Sequence, residues 1–272
     1  MKKTRLVGYY SLEVKAMNRV AMDVVKAARS EVHVSGHELR LQLFPDFFEL
    51  HGDGLSGDDP AIVGGLATFN GQPVTVITTS RGHSLEERMQ KHFGQPEPSG
   101  YRKVLRLVKN AAKFHRPVFL FVDTAGAYPG KSAEENGQGE AIAQNLLQIG
   151  QMATPIITVM YGEGGSGGAL ALACGNEVWM LENSMYSVLS PEGFASILWK
   201  DADKVAEAAS KMKLTPEDLL SLDVIEGIID EPADHTVVCR NIKQRLETEL
   251  AKLQAMSDDE LLKRRYERFR KF

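Results

Sequence analysis

From residue 60 onward the sequence predicts an α/β fold: a parallel sheet covered by crossover helices. Three observations carry this: apolar runs of strand length alternate with amphipathic stretches of helical period, the loops leaving those runs are rich in glycine, and the chain beyond Asp201 is helical in pattern.

Leu6 to Val32 shows mixed helical periodicity, and Leu41 to Leu50 fits either a strand or a turn of helix. His51 to Pro60, dense in Gly and Asp, reads as a loop. Val74 to Thr79 reads as a strand. Tyr101 to Phe114 follows as a helix, with Val104, Leu107, Val108, Ala111 and Ala112 on one face and Arg and Lys on the other. Pro117 to Asp123 is a buried strand whose exit loop runs through Asp123-Thr124-Ala125-Gly126-Ala127-Tyr128-Pro129-Gly130. The next helix has Ala143, Leu146, Leu147 and Gly150 on one face. Strand Pro155 to Tyr161 leads into a glycine turn and a short helix, and Glu177 to Leu181 and Tyr186 to Leu189 read as two brief strands. Pro191 to Trp199 begins a helix with an early proline, where a missing N–H costs little. Thr215-Pro216-Glu217-Asp218 is a helix start, and Ile242, Leu246, Leu250 and Leu253 mark one face of a long C-terminal helix. No solenoid-like repeat is present. The expected division is an N-terminal segment over 1–57, a core over 58–232 and a helical extension over 233–272.

The 272 residues, 43% hydrophobic and 25% charged, suit one large or two small globular domains and exclude a disordered chain. No apolar run approaches the ~18 residues of a membrane span, and no apolar segment follows Met1-Lys2-Lys3, so a cytoplasmic protein is expected. Cys174 and Cys239 lack CxxC spacing, which argues against a zinc ribbon, a redox motif or a disulfide, and they read as buried thiols. His83 and His92 read as surface or hydrogen-bonded histidines, and no bound metal is expected. A net charge of −4 disfavours nucleic acid as a partner. The basic run Lys263, Arg264, Arg265, Arg268, Arg270 and Lys271 is expected to be the solvated end of a terminal helix.

The most informative stretch is Met160 to Ala169, where Gly162, Gly164, Gly165, Gly167 and Gly168 separate a strand from a helix. Glycines let a ligand approach the backbone, and the unpaired N–H groups of the following helix attract negative charge. Three chemistries fit. Gly164-Gly165-Ser166-Gly167-Gly168 matches the G-x-S-x-G nucleophile elbow, with His235 and Asp223 or Asp230 downstream, so a serine hydrolase using Ser166 is one. Gly162 to Gly167 matches G-x-G-x-x-G, with Glu182 near the ribose-binding distance, so a dinucleotide site is the second. The third uses backbone N–H groups to hold an oxyanion that develops on a carbonyl, and asks nothing of Ser166. The Asp123–Gly130 loop would then form the facing wall, making Gly126, Ala127 and Tyr128 candidate substrate-binding residues.

FVDTAGAYPG at 121–130, GEGGSGGALA at 162–171 and YSVLSPEGFASILWKDADK at 186–204 resemble the α subunit of bacterial acetyl-coenzyme A carboxylase carboxyltransferase. PAIVGGLA at 60–67, FGQPEPSGYRKVLRL at 93–107 and RRYERF at 264–269 extend the resemblance, which runs from about Asp58 to the C-terminus. Ala28-Arg29-Ser30-Glu31 stands where the family usually reads Ala-Arg-His-Pro, and Ala125 where it usually has proline.

The resemblance implies a crotonase fold, a spiral of ββα units with a helical tail. It implies transfer of a carboxyl group from carboxybiotin on a biotin carboxyl carrier protein to acetyl-coenzyme A, giving malonyl-coenzyme A, the first committed step of fatty acid biosynthesis. It assigns the biotin oxyanion to the backbone at Gly167 and Gly168, with Gly164 and Gly165 shaping the turn, and places Glu192, Trp199 and Lys200 near the biotin channel. It implies a β subunit that carries the zinc ribbon and most of the acyl site in an α2β2 heterotetramer, and a separate biotin carboxylase that uses the ATP. No general base stands out in the chain, which suits a reaction in which the biotin anion takes the methyl proton. A binding or scaffold role without chemistry is the remaining alternative.

Overall fold

The computed structural model describes residues 19–272. The part of the predicted N-terminal helical stretch before residue 19 lies outside them. In chain order the elements are α1 (Ala21–Ala28), α2 (Gly36–Leu43), β1 (Phe48–Glu49), β2 (Ile62–Phe69), β3 (Gln72–Thr79), α3 (Leu85–Gln90), α4 (Pro98–Lys113), β4 (Val118–Thr124), α5 (Lys131–Glu135), α6 (Gln138–Ile149) and β5 (Ile156–Gly165). Then follow α7 (Ser166–Leu170), β6 (Glu177–Leu181), β7 (Met185–Ser187), α8 (Pro191–Phe194), α9 (Val205–Lys211), α10 (Pro216–Ser221), β8 (Gly227–Ile229), α11 (His235–Gln254) and α12 (Asp258–Phe269).

One sheet runs in the order β1-β2-β3-β4-β5-β6-β8, with β7 paired to the end of β5. The β1-β2-β3 edge is antiparallel and the rest parallel. Parallel strands covered on both faces read as continuous apolar runs, which is why β4 and β5 were legible. Successive residues take opposite faces. In β4, Val118, Leu120 and Val122 join the core under α4 and α6, while Phe119 and Phe121 join the core that α2 and α11 cover. Ile242, Leu246, Leu250 and Leu253 are all buried in that second core, as the C-terminal periodicity requires. Thr215 caps α10 by accepting from the Asp218 amide, with Pro216 in the first turn.

Several expectations change. Leu41 to Leu50 divides between the end of α2 and the two-residue β1. Strands β2 and β8 were unforeseen. The face of α6 with Ala143, Leu146 and Leu147 points outward, and the buried stripe is Ala141, Asn145 and Ile149, one residue per turn. Lys103 of α4 is buried, not on the polar face, because Asp58 Oδ1 at 2.6 Å and the Ile62 carbonyl at 2.9 Å take its ammonium. The basic run is likewise only half solvated, since Arg265 and Arg268 are buried. Arg265 donates to the carbonyls of Ile149, Met152 and Thr154, each at 2.8 Å, and Arg268 to Glu226 Oε1 at 2.7 Å and the Val224 carbonyl at 2.6 Å.

Cys174 and Cys239 are free and buried, as expected. Burial pushes their thiols up to about 12 and about 11. Because the thiolate is the reactive form, the native protein is expected to release no colour with an aromatic disulfide reagent until denaturant is added. Rapid reaction of either thiol in buffer would contradict this packing.

Candidate active site

The site begins with an irregularity between β4 and β5. Val122 pairs with Met160 and Thr124 with Gly164, so Tyr161, Gly162 and Glu163 lie opposite the single residue Asp123. The Asp123 side chain fills the bulge and accepts the Glu163 amide at 2.8 Å. Arg81, just past β3, grips both Asp123 oxygens at 2.7 and 2.6 Å and reaches Glu163 Oε2 at 2.8 Å. Arg29 donates to Glu163 Oε1 at 2.8 Å and Glu192 Oε1 at 2.7 Å. His33 binds the Ser30 carbonyl through Nδ1 and sits 3.3 Å from Asp123 Oδ2 through Nε2. A ring that donates from both nitrogens is the imidazolium.

Burial opposes both charges at this centre, but the pair wins. The Asp123 carboxyl is held down at about 2 by Arg81 and His33, and the His33 imidazole is raised by Asp123. The ions therefore fix the segment that leads into the glycine turn. Sequence reading missed Arg29, His33, Arg81 and Glu163 as a group. A visible signal was a pair of opposite charges, Arg81 and Asp123, at the ends of two successive apolar strands.

Beyond the bulge, Gly164 and Gly165 pair with Tyr186 and Ser187 of β7. The turn then meets the loop after β4. A Cβ on Gly165 would lie 2.1 Å from the Ala125 carbonyl oxygen, and one on Gly168 would lie 2.5 Å from both the Ala127 nitrogen and the Tyr101 hydroxyl. Only glycine fits at these two positions. The space beside Gly167 is open, with Ile142 Cγ2 4.0 Å away. Ser166 is exposed and left-handed, with φ of 59°. Helix α7 has no capping side chain, so its first-turn amides have no intrahelical acceptor.

The structure thus brings Gly165 and Gly168 against Gly126 and Ala127, while Gly164 lies against Met160 and Tyr186 and Gly167 faces open space. Tyr128 belongs to the same loop but turns aside, its ring stacked on His92 at 3.8 Å and its amide bound to the Pro96 carbonyl at 3.0 Å. Trp199 ends a π-turn over Ala195–Trp199, packs edge-on to Phe194 at 5.4 Å, and is followed by left-handed Lys200. Both lie on the strap after β7. Tyr161 is core, its hydroxyl donating to the Thr79 carbonyl at 3.0 Å. His83 packs edge-on to His37, and among the described residues no cluster could hold a metal ion. Among the described residues no helix is long and apolar enough to cross a membrane.

Two alternative chemistries lose their support here. His235 has both ring nitrogens engaged, by Glu38 Oε1 at 3.1 Å and the Val32 carbonyl at 2.8 Å, so it is not free to activate Ser166. Helix α7 has five residues, far short of the dozen or so of a dinucleotide-fold crossover.

The profile of a family described as acetyl co-enzyme A carboxylase carboxyltransferase-like matches residues 12–272. The acetyl-coenzyme A carboxylase carboxyl transferase α subunit of Streptococcus sanguinis strain SK36 is 50% identical over 251 residues, covering 92% of this chain and 98% of that protein. The same subunit of Streptococcus gordonii is 50% identical over 250 residues, with the same coverage. Among solved structures, a Pseudomonas malonate decarboxylase heterotetramer in complex with coenzyme A matches with a TM-score of 0.68 at 18% identity, over 85% of this chain and 92% of that one. The transcarboxylase 12S core with methylmalonyl-coenzyme A bound matches with a TM-score of 0.66 at 21% identity, over 84% of this chain and 44% of that one. At such identities the two structures speak for the fold, which is the expected crotonase-like one. The chain belongs to the acetyl co-enzyme A carboxylase carboxyltransferase family.

Proposed function

We propose that this chain is the α subunit of an acetyl-coenzyme A carboxylase carboxyltransferase, and that its glycine turn receives the ureido oxygen of carboxybiotin while the carboxyl group passes to acetyl-coenzyme A. The observation that carries the placement is the approach of the Ala127 nitrogen to within 2.5 Å of where a Gly168 side chain would begin. That approach sets main-chain donors of two loops side by side. Biotin, when bound, supplies the transferable carboxyl group and a ureido oxygen that becomes negative as it departs. The open space beside Gly167 and the uncapped first turn of α7 suit a small anionic oxygen. The amides of Gly167 and Gly168 would hold it, with Ala127 beside them, and the buried ions at Asp123 keep the turn from shifting as charge develops. Such preorganised donors are commonly worth ~10²–10³ in rate each.

The reading includes a β subunit that supplies the acyl-coenzyme A side and any zinc, a biotin carboxyl carrier protein that delivers the substrate, a biotin carboxylase that consumes the ATP, and a cytoplasmic location. The domain division at 57 and 232 belongs to the same reading. It is tested by copurifying the chain with its β partner and following malonyl-coenzyme A decarboxylation with free biotin as acceptor. Activity that needs both chains supports it; inactivity of every β pairing that assembles counts against it. In this assay Ser166→Ala is expected to retain activity within about threefold of the parent, because backbone donors carry the large factors. Labelling of Ser166 by a fluorophosphonate would favour the hydrolase reading instead.

A further inference from the structure

Beneath the turn lies a group that this chemistry does not yet use. Tyr101, in the first turn of α4, is fully buried, and among the described residues its hydroxyl has no hydrogen-bond partner. That hydroxyl lies 2.5 Å from where a Gly168 side chain would begin, the same point that the Ala127 nitrogen approaches. It therefore sits behind both loops of the oxyanion site, shielded from direct contact with a ligand. A buried polar group without a partner destabilises the fold, and phenylalanine would fill nearly the same volume without that cost. Stability thus gives no reason for the oxygen, which points to function.

A phenol with no acceptor is a free rotor, so its dipole is not committed to any bond of the resting fold. When negative charge develops on the far side of Gly168, the O–H can swing its positive end toward that charge through a dry, low-dielectric layer where dipoles act strongly. Burial and the nearby Asp59 carboxyl both raise the phenol, which stays protonated in neutral buffer. We infer that Tyr101 is a positioning residue of the carboxyltransfer site, its unpaired hydroxyl backing the Gly168 and Ala127 amides and orienting toward the oxyanion they hold. This rests on the placement of that oxyanion at the glycine turn.

The test is Tyr101→Phe in the assembled complex, assayed by malonyl-coenzyme A decarboxylation with free biotin, with Gly168→Ala in parallel. Loss of the hydroxyl is expected to lower kcat about tenfold, less than removal of a direct donor. KM for malonyl-coenzyme A should not change and Tm should stay level or rise. An unchanged kcat overturns the inference. So does a fall in Tm, which would show that the hydroxyl makes a structural bond in solution, for instance to a buried water. If Gly168→Ala is as active as the parent, the placement of the oxyanion itself has failed; if Gly168→Ala is inactive and Tyr101→Phe is silent, only the role of Tyr101 has.

Discussion

Gly168→Val is expected to lower the kcat of the complex by ~10²–10³, the value of one lost oxyanion donor. The first carbon of the new side chain would lie 2.5 Å from the Ala127 nitrogen and 2.5 Å from the Tyr101 hydroxyl. One is backbone and the other is buried, so neither yields cheaply. The strain is relieved by separating the two loops, which pulls the proposed donors apart. Gly167→Ala is the matched control, because its new methyl meets nothing nearer than Ile142 at 4.0 Å and its amide remains in place. The expected ranking is a severe loss at Gly168, with mild effects at Gly167 and Ser166. Equal losses at the two glycines, with assembly intact, would mean that the approach of the loops is not what sets the rate.

The second large effect is on stability. Asp123→Ala removes the anion that Arg81 and His33 share, leaving half-buried Arg81 with Glu163 alone and His33 with no carboxylate, a change worth about 2–3 kcal/mol. Urea unfolding of the two proteins measures it. The pH dependence has a definite sign. The folded Asp123 carboxyl titrates at about 2, below the ~3.9 of an unfolded aspartate, so its contribution is complete above pH ~4 and disappears as the pH falls toward 2. His33 behaves oppositely: its folded value is raised, so its contribution is present in acid and is lost as the pH rises through that value. The Tm difference between parent and Asp123→Asn is therefore expected to shrink between pH 4 and 2. A difference that stays flat over that interval would remove Asp123 as the titrating group.

Strands β3 to β6 were legible because a sheet covered on both faces must be apolar throughout, and β4 and β5 are, whereas β2, interrupted by Gly64 and Gly65, was not read. Strand β8 was not, since Gly227–Ile229 is too short to show a period. For α6 the period was right but the face was wrong: Leu146 and Leu147 look like core, yet buried Asn145 occupies the inward side. The tail misled for a related reason. Leu261, Arg265 and Arg268 recur at helical spacing and form the buried stripe of α12, but a search for apolar residues passes over arginine. The glycine turn was readable because its residues are contiguous. The ion network around Asp123 was not, because Arg29 and Arg81 lie 134 and 82 residues from the Glu163 they bind.

The clamp made by Arg265 bears on how the protein is born. The loop ahead of β5 surrenders its carbonyls to a guanidinium 116 residues later in the chain, at Ile149, and 111 residues later, at Thr154. Until Arg265 has left the ribosome, those carbonyls have only water to bind, and the strand carrying the glycine turn starts from an unsecured base. Completion of the native structure thus waits for the chain to reach Arg265, a long-range closure of the kind that slows folding and lengthens exposure to chaperones and proteases.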